Sequence, residues 1–119
     1  MISNTSKLNV CDNSGILRVK CFKTNDKTFV TLGSVIYTSV KLRKPKTKLI
    51  KLNIVKGIIV RLTKNVSRYI GFYFVFSSND IVLFNDKNEP LGTRIFGPLP
   101  LELRKKKFLK LLSLGSTFI

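Results

Sequence analysis

Gly92-Thr93-Arg94-Ile95-Phe96-Gly97-Pro98, with the run from Leu99 to Leu114 behind it, decides how this chain is read. Two glycines and a proline constrain the backbone around an apolar pair, Ile95 and Phe96. Glycine allows dihedrals and close approaches closed to other residues, and proline locks φ and removes a donor. Both apolar residues read as core, with Phe96 between the body of the fold and the tail. Arg94 is the single charge of the segment. Pro100 suits a first helical turn and Gly115 a helix stop. Leu101, Phe108, Leu109 and Leu112 share one face of a helical repeat. Lys105 falls on that same face, so the pattern predicts two short helices with a break near Lys105–Lys107. Arg104, Lys105, Lys106, Lys107 and Lys110 crowd this tail with cations.

Outward from the motif, the chain reads as short strands and turns. Leu8 to Cys11 alternates, Asp12-Asn13-Ser14-Gly15 is a turn in which Gly15 can take positive φ, and Leu17 to Phe22 alternates again. Leu17, Val19 and Cys21 fall on one face, and the pair of strands predicts a hairpin. Ser14 lacks a histidine partner and nucleophile-elbow glycines, so it reads as a turn residue. After a turn at Leu32-Gly33, Ser34 to Arg43 places Ile36, Thr38, Val40 and Leu42 on one face. Ile54 to Leu62 is apolar on both faces and leaves its inward side open, with Gly57 where a barrel wall can bend. Phe72 to Phe76 and Ile81 to Phe84 complete the strands. Phe72, Phe74 and Phe76 line one face; they suit base stacking, but core or a protein interface is the preferred reading. Many short strands with regular turns predict a small β-barrel.

The charge is one-sided. The 119 residues carry 22 Lys and Arg against 6 Asp and Glu, a formal net charge of +16. A polyanion is the expected partner of such a chain, and 44% hydrophobic residues separate it from disordered basic tails. From Lys41 to Arg68 there is no acid, and Lys41, Arg43, Lys44, Lys46, Lys48, Lys51, Lys56, Arg61, Lys64 and Arg68 lie in that window. Pro45 interrupts the strand, which makes Lys44 to Lys51 a loop or bend. We read the window as phosphate-binding, because no carboxylate compensates it; a solvated face is the plainer alternative.

Other function classes fare badly. With no histidine, few carboxylates and no phosphate loop, catalytic residues are not expected, nor are cofactors. Cys11 and Cys21 lack a Cys-x-x-Cys spacing, so no metal site is expected and both read as reduced, packed thiols. No apolar run reaches membrane-spanning length, and a membrane-surface protein would need a stronger amphipathic helix than this tail offers. Alanine, glutamine, histidine and tryptophan are absent and lysine outnumbers arginine, the codon bias of an AT-rich genome. Without a presequence, that bias suggests an organelle, with an AT-rich bacterium as the alternative.

Residues 92–98, Glu102-Leu103-Arg104 and Phe108-Leu109-Lys110-Leu111-Leu112-Ser113-Leu114 resemble the end of a known family: the universal large-subunit ribosomal proteins numbered fourteen, in bacterial and organellar form. Leu8-Asn9-Val10 with Asp12-Asn13-Ser14-Gly15 is similar to the family's opening, and Lys56 and Arg61 match its basic positions in the long strand. The chain departs from the family at Cys11, usually alanine, in a shorter Thr24–Thr28 connection without paired arginines, and in a thinner basic run at 63–69. The resemblance implies a single domain over 1–119. This is a closed five-stranded β-barrel to about residue 98 with a projecting β-ribbon, followed by two short C-terminal helices. It implies a structural constituent of the large ribosomal subunit that binds large-subunit rRNA near the subunit interface. Other implied partners are small-subunit rRNA at an intersubunit bridge, large-subunit proteins three and nineteen, and the ribosome silencing factor. Thr93, Arg94 and Lys110 are the implied bridge or silencing-factor surface; the alternative for Arg94 is an ion pair with Glu102 that pins the tail. A mitochondrial ribosome is the expected location, with a plastid or bacterial cytoplasm as alternatives. The competing function is a free basic β-barrel that binds nucleic acid outside the ribosome.

Overall fold

The computed structural model describes residues 6–24, 30–44, 54–105, 109–115 and 117–119. In it, β1 (Lys7–Val10) and β2 (Ile16–Thr24) form the expected antiparallel hairpin, with Leu8 opposite Val19. The turn between them closes because the Asp12 carboxylate accepts the Ser14 N–H at 3.1 Å while Gly15 takes φ 96°. β3 (Val35–Arg43) pairs with β2, and β4 (Ile54–Arg61) with β3, both antiparallel. β5 (Val66–Tyr69) and β6 (Phe72–Phe74) form a separate two-stranded ribbon. β7 (Asp80–Phe84) runs antiparallel to β4 and parallel to β1, which closes the barrel in the order β1-β2-β3-β4-β7. The tail contains β8 (Pro98–Leu99), α1 (Glu102–Lys105), α2 (Leu109–Leu114) and β9 (Thr117–Phe118), the last pairing parallel to β8. The fold is therefore mainly β, with the closed five-stranded barrel that the resemblance implies and the two short helices that the tail's pattern predicts.

Two apolar cores explain the strand patterns. Leu8, Ile16, Val19, Cys21, Ile36, Val55, Ile59, Ile81 and Leu83 fill the barrel. Ile58, Val60, Val82, Phe84, Ile95, Leu99, Leu103 and Leu111 form a second cluster, where the tail covers the outside of β4 and β7. So β4 is apolar on both sides because both are buried, whereas β2 and β3 alternate because their outer faces are open. Gly57 lies on the inner face of β4, and a Cβ there would come within 2.4 Å of Ile81 Cδ1. The small residue admits the Ile81 side chain into the barrel. Thr38, buried in the same interior, donates its hydroxyl to the Val55 carbonyl at 2.8 Å.

Four expectations are corrected. Leu17 does not share the buried face of Val19 and Cys21: it is 38% exposed, because the β2–β3 register shifts on either side of Arg18. Phe96 is 48% exposed while Ile95 is 1% exposed, so only one of the apolar pair enters the core. Ile95 bridges to Asp12 at the β1–β2 turn, which directs its neighbour outward. In the tail, Leu103 and Leu111 are the buried leucines, and Leu101 and Leu109 are exposed. A continuous helical repeat mispredicts this face because each helix docks separately, α1 ending at Lys105 and α2 starting at Leu109. Finally, the Phe72–Phe74–Phe76 stripe runs off the barrel: Phe76 is buried, Phe74 half-buried, and Phe72 exposed. β6 itself stops at Phe74.

Candidate nucleic-acid interface

The barrel wall opposite the tail-covered strands carries the basic residues. Pairing places Lys7 directly across from Lys20, and Arg18 across from Asn9 on one side and Leu42 on the other. Lys7, Arg18 and Lys41 are exposed and Lys20 half-buried. Like charges directly opposite on a sheet destabilise it unless a counter-charge lies nearby, and β1, β2 and β3 contain no carboxylate. Lys7, Arg18 and Lys20 lie outside the Lys41–Arg68 window that marks the interface in the sequence. Their signal was the alternation itself, with cations at the non-core positions around Val19 and Cys21.

Within that window the cations divide. Lys41, Lys44 and Lys64 are exposed, and Arg43 and Lys56 are half-buried. The Lys44 N–H donates to the Gly15 carbonyl at 2.9 Å, which holds the end of β3 against the β1–β2 turn. The Lys56 ammonium donates to Asn88 Oδ1. Lys46, Lys48 and Lys51 lie outside the described residues.

Arg61 and Arg68 face inward to carboxylates instead. Arg61 Nη1 donates to Asp80 Oδ2 at 2.8 Å, Nε donates to the Pro98 carbonyl at 3.0 Å, and Nη2 donates to the Phe96 carbonyl. Ser78 Oγ supports Asp80 at 2.9 and 3.0 Å. Arg68 grips Glu102 with two bonds, 2.5 and 2.9 Å, lies 4.2 Å from the Phe74 ring centre, and also donates to the Ile119 carbonyl. Arg61 thus ties the tail to the barrel, and Arg68 ties it to the β5–β6 ribbon.

The central motif is held by the first turn. Asn13 Oδ1 accepts the backbone N–H groups of Thr93 at 2.7 Å and Arg94 at 3.1 Å, and Asn13 Nδ2 donates to Thr93 Oγ1 at 2.9 Å. Gly92 permits this approach: a Cβ there would lie 2.6 Å from Asn13 Oδ1. Thr93 and Arg94 are exposed, and the Arg94 guanidinium lies 5.2 Å from the Phe96 ring centre. Glu102 pairs with Arg68, so the ion pair that was the alternative reading of Arg94 is made by a different arginine. Lys110 approaches Glu89 at 3.8 Å, with both side chains more than half exposed, a weak pair.

Cys11 donates its thiol to the Ile81 carbonyl at 3.5 Å, and burial pushes its pKa up to about 12. Burial also raises the Asp12 carboxyl above the usual range, opposed by hydrogen bonds from Ser14 and the Leu83 N–H. Among the described residues, no group of three or more His, Cys, Asp or Glu is placed to hold a metal ion, and no helix is long and apolar enough to cross a membrane.

A family model described as Ribosomal protein L14p/L23e matches residues 1–119, the whole chain. The chain belongs to that family. Membership in the L14p/L23e family carries a structural role in the large ribosomal subunit, beside rRNA and neighbouring ribosomal proteins, and the family is not known for enzymatic activity.

Proposed function

We propose that the outer wall of β1, β2 and β3 holds this ribosomal protein on large-subunit rRNA by phosphate contacts. The observation that carries the reading is Lys7 directly opposite Lys20 on three strands without a carboxylate. A bridging phosphodiester turns this repulsion into attraction, and such contacts position the protein without reading base sequence. Lys41, Arg43, Lys44, Lys56 and Lys64 extend the surface, and Lys46, Lys48 and Lys51 join the proposed phosphate-binding set on sequence alone, from their place in the acid-free stretch.

A second surface comprises Thr93, Arg94 and Lys110 near the subunit interface. There the partners would be small-subunit rRNA at a bridge, large-subunit proteins three and nineteen, and the ribosome silencing factor. Arg94 suits this role because Asn13 fixes its backbone while its side chain is exposed. A rigidly based guanidinium makes directional contacts to carboxylate or phosphate. The composition favours a mitochondrial ribosome.

The test replaces Lys7, Lys20 and Lys41 together by glutamine and measures binding to large-subunit rRNA against salt. Each lost phosphate contact should lower the slope of log affinity against log salt by roughly 0.7–0.9. An unchanged slope would rule out phosphate contact at this wall.

A further inference from the structure

Arg68 occupies an irregular place in its strand. Across the ribbon, Val66 faces Phe74, Ser67 faces Tyr73 and Tyr69 faces Phe72, so the register shifts between Ser67 and Tyr69 and puts Arg68 at the extra position of a bulge. A bulge re-aims the side chain it carries. Here the guanidinium leaves the ribbon for the tail. Nε and Nη2 grip the two carboxylate oxygens of Glu102 at 2.5 and 2.9 Å, and Nη2 also donates to the Ile119 carbonyl. That carbonyl accepts the Leu101 N–H as well, at 3.0 Å, so one arginine of β5 reaches both α1 and the residue after β9.

The tail side matches this reach. α1 has four residues, too few to be stable by its own hydrogen bonds. Its successive side chains go to three different places: Glu102 to the ribbon, Leu103 into the buried cluster over β4 and β7, and Arg104 to the Phe118 ring at 5.2 Å. The ribbon, two strands paired with each other, is equally marginal by itself, and its root is held by Val66 and Phe74 against the barrel core. Between barrel, ribbon and α1 lies a largely apolar cleft of about 370 Å³, walled by Leu32, Leu62, Val66 and Glu102 among others. Packing is thin at that seam, which gives the ion pair a large part in joining ribbon to tail. Both side chains of the pair are 25% exposed, sheltered enough for a two-bond arginine–carboxylate contact to outweigh an ordinary surface pair.

We propose that Arg68 is a strap that makes the ribbon and the tail one cooperative unit, opening together while the barrel stays closed. The barrel is a complete ring with Val19, Ile36, Ile59 and Ile81 fully buried, so it has no edge at which to open. Ribbon and tail are each attached to that ring, the ribbon at its Val66–Phe74 root and the tail through Arg61 and the second apolar cluster. Arg68 attaches them to each other. Coupling of this kind is reciprocal: whatever steadies the ribbon also steadies α1 and the Ile119 end, and the reverse. The inference depends neither on the phosphate reading of the barrel wall nor on the identity of any neighbour.

Hydrogen exchange on the purified full chain tests the strap. In mild urea, the protected amides of the wild-type ribbon and those of Leu101 and Ile119 should converge on one opening free energy, below that of barrel amides such as Ile59. Glu102→Gln keeps the side chain's shape and removes its charge. It should speed exchange by about tenfold in the ribbon as well as in the tail, the worth of lost charged hydrogen bonds, and leave the barrel amides unchanged. Arg68→Gln should speed the same two sets. The double variant should do little more than the larger single change, since both break one contact. Separate opening free energies for ribbon and tail in the wild type would overturn the proposal. So would faster exchange in the ribbon alone for Arg68→Gln and in the tail alone for Glu102→Gln, because each part would then be held only by its own root. Unchanged exchange in both parts, or faster exchange throughout the barrel, would overturn it too. If a variant fails to fold, the wild-type urea series decides.

Discussion

The guanidinium of Arg61 fills the space that a Cβ on Gly97 would need, with Nη2 only 2.7 Å from that position. Gly97 has φ +82°, so a left-handed backbone and a close approach by Arg61 demand glycine at one place. The same guanidinium pairs with Asp80 and bonds the Pro98 and Phe96 carbonyls. The Gly-Thr-Arg-Ile-Phe-Gly-Pro segment is thus shaped at its end by an arginine thirty-six positions upstream, 97 minus 61.

Gly97→Ala should destabilise the fold by at least about 1–2 kcal/mol, the cost of the left-handed conformation alone. Arg61→Ala should cost about 3–5 kcal/mol, because it leaves Asp80 buried without its cation. Urea unfolding measures both, and a wild-type midpoint for Arg61→Ala would show that this clamp contributes nothing.

Ile95 and Phe96 should part company under mutation. Ile95→Ala removes a side chain that is 1% exposed and should cost about 2–5 kcal/mol. Phe96→Ala removes one that is 48% exposed, and should cost under about 1 kcal/mol beyond the loss of its contact with Arg94. Thermal melts of the two variants decide; equal losses would contradict the outward course of Phe96.

Cys11 should resist alkylation at neutral pH. Burial and a pKa pushed up to about 12 leave almost no accessible thiolate, and Cys21 is 0% exposed. Labelling with a maleimide should be slow in the folded chain and fast in denaturant. Rapid labelling of either thiol without denaturant would refute the packed assignment.

Asp12 gives a pH signature of defined sign. Its carboxyl is raised in the fold by burial, so the native state holds the proton more tightly than the unfolded chain does. Its contribution to stability is fullest below the ordinary carboxylate pKa and is lost as pH rises through the raised value. Asp12→Asn does not titrate, so wild-type stability relative to this variant should fall as pH rises from about 4 towards that raised value. Asn loses one acceptor for the Ser14 and Leu83 bonds, which shifts the whole curve but not its slope. Parallel curves for the two proteins would contradict a raised Asp12.

By itself, the sequence determined the elements whose cause is local. Alternation around Val19 and along Ile36, Thr38 and Val40 marked β2 and β3, Asp12 to Gly15 specified its turn, and a seven-residue match identified the family segment. The acid-free window marked a basic surface and already contained Lys41 and Lys44. Only the tertiary structure decided which of these cations meet a carboxylate, because an arginine's partner lies wherever the fold brings one. Arg61 meets Asp80 across β4 and β7, and Arg68 meets Glu102 from the tail, so neither pairing is visible as a spacing. Lys7 and Lys20 acquire their meaning from register alone. Likewise, β4 has two buried faces because the barrel fills one side and the tail covers the other, and no periodicity within eight residues distinguishes them. Ile95 and Phe96 are equally apolar, and which of them enters the core was decided by the bridge to Asp12, a contact between opposite ends of the chain.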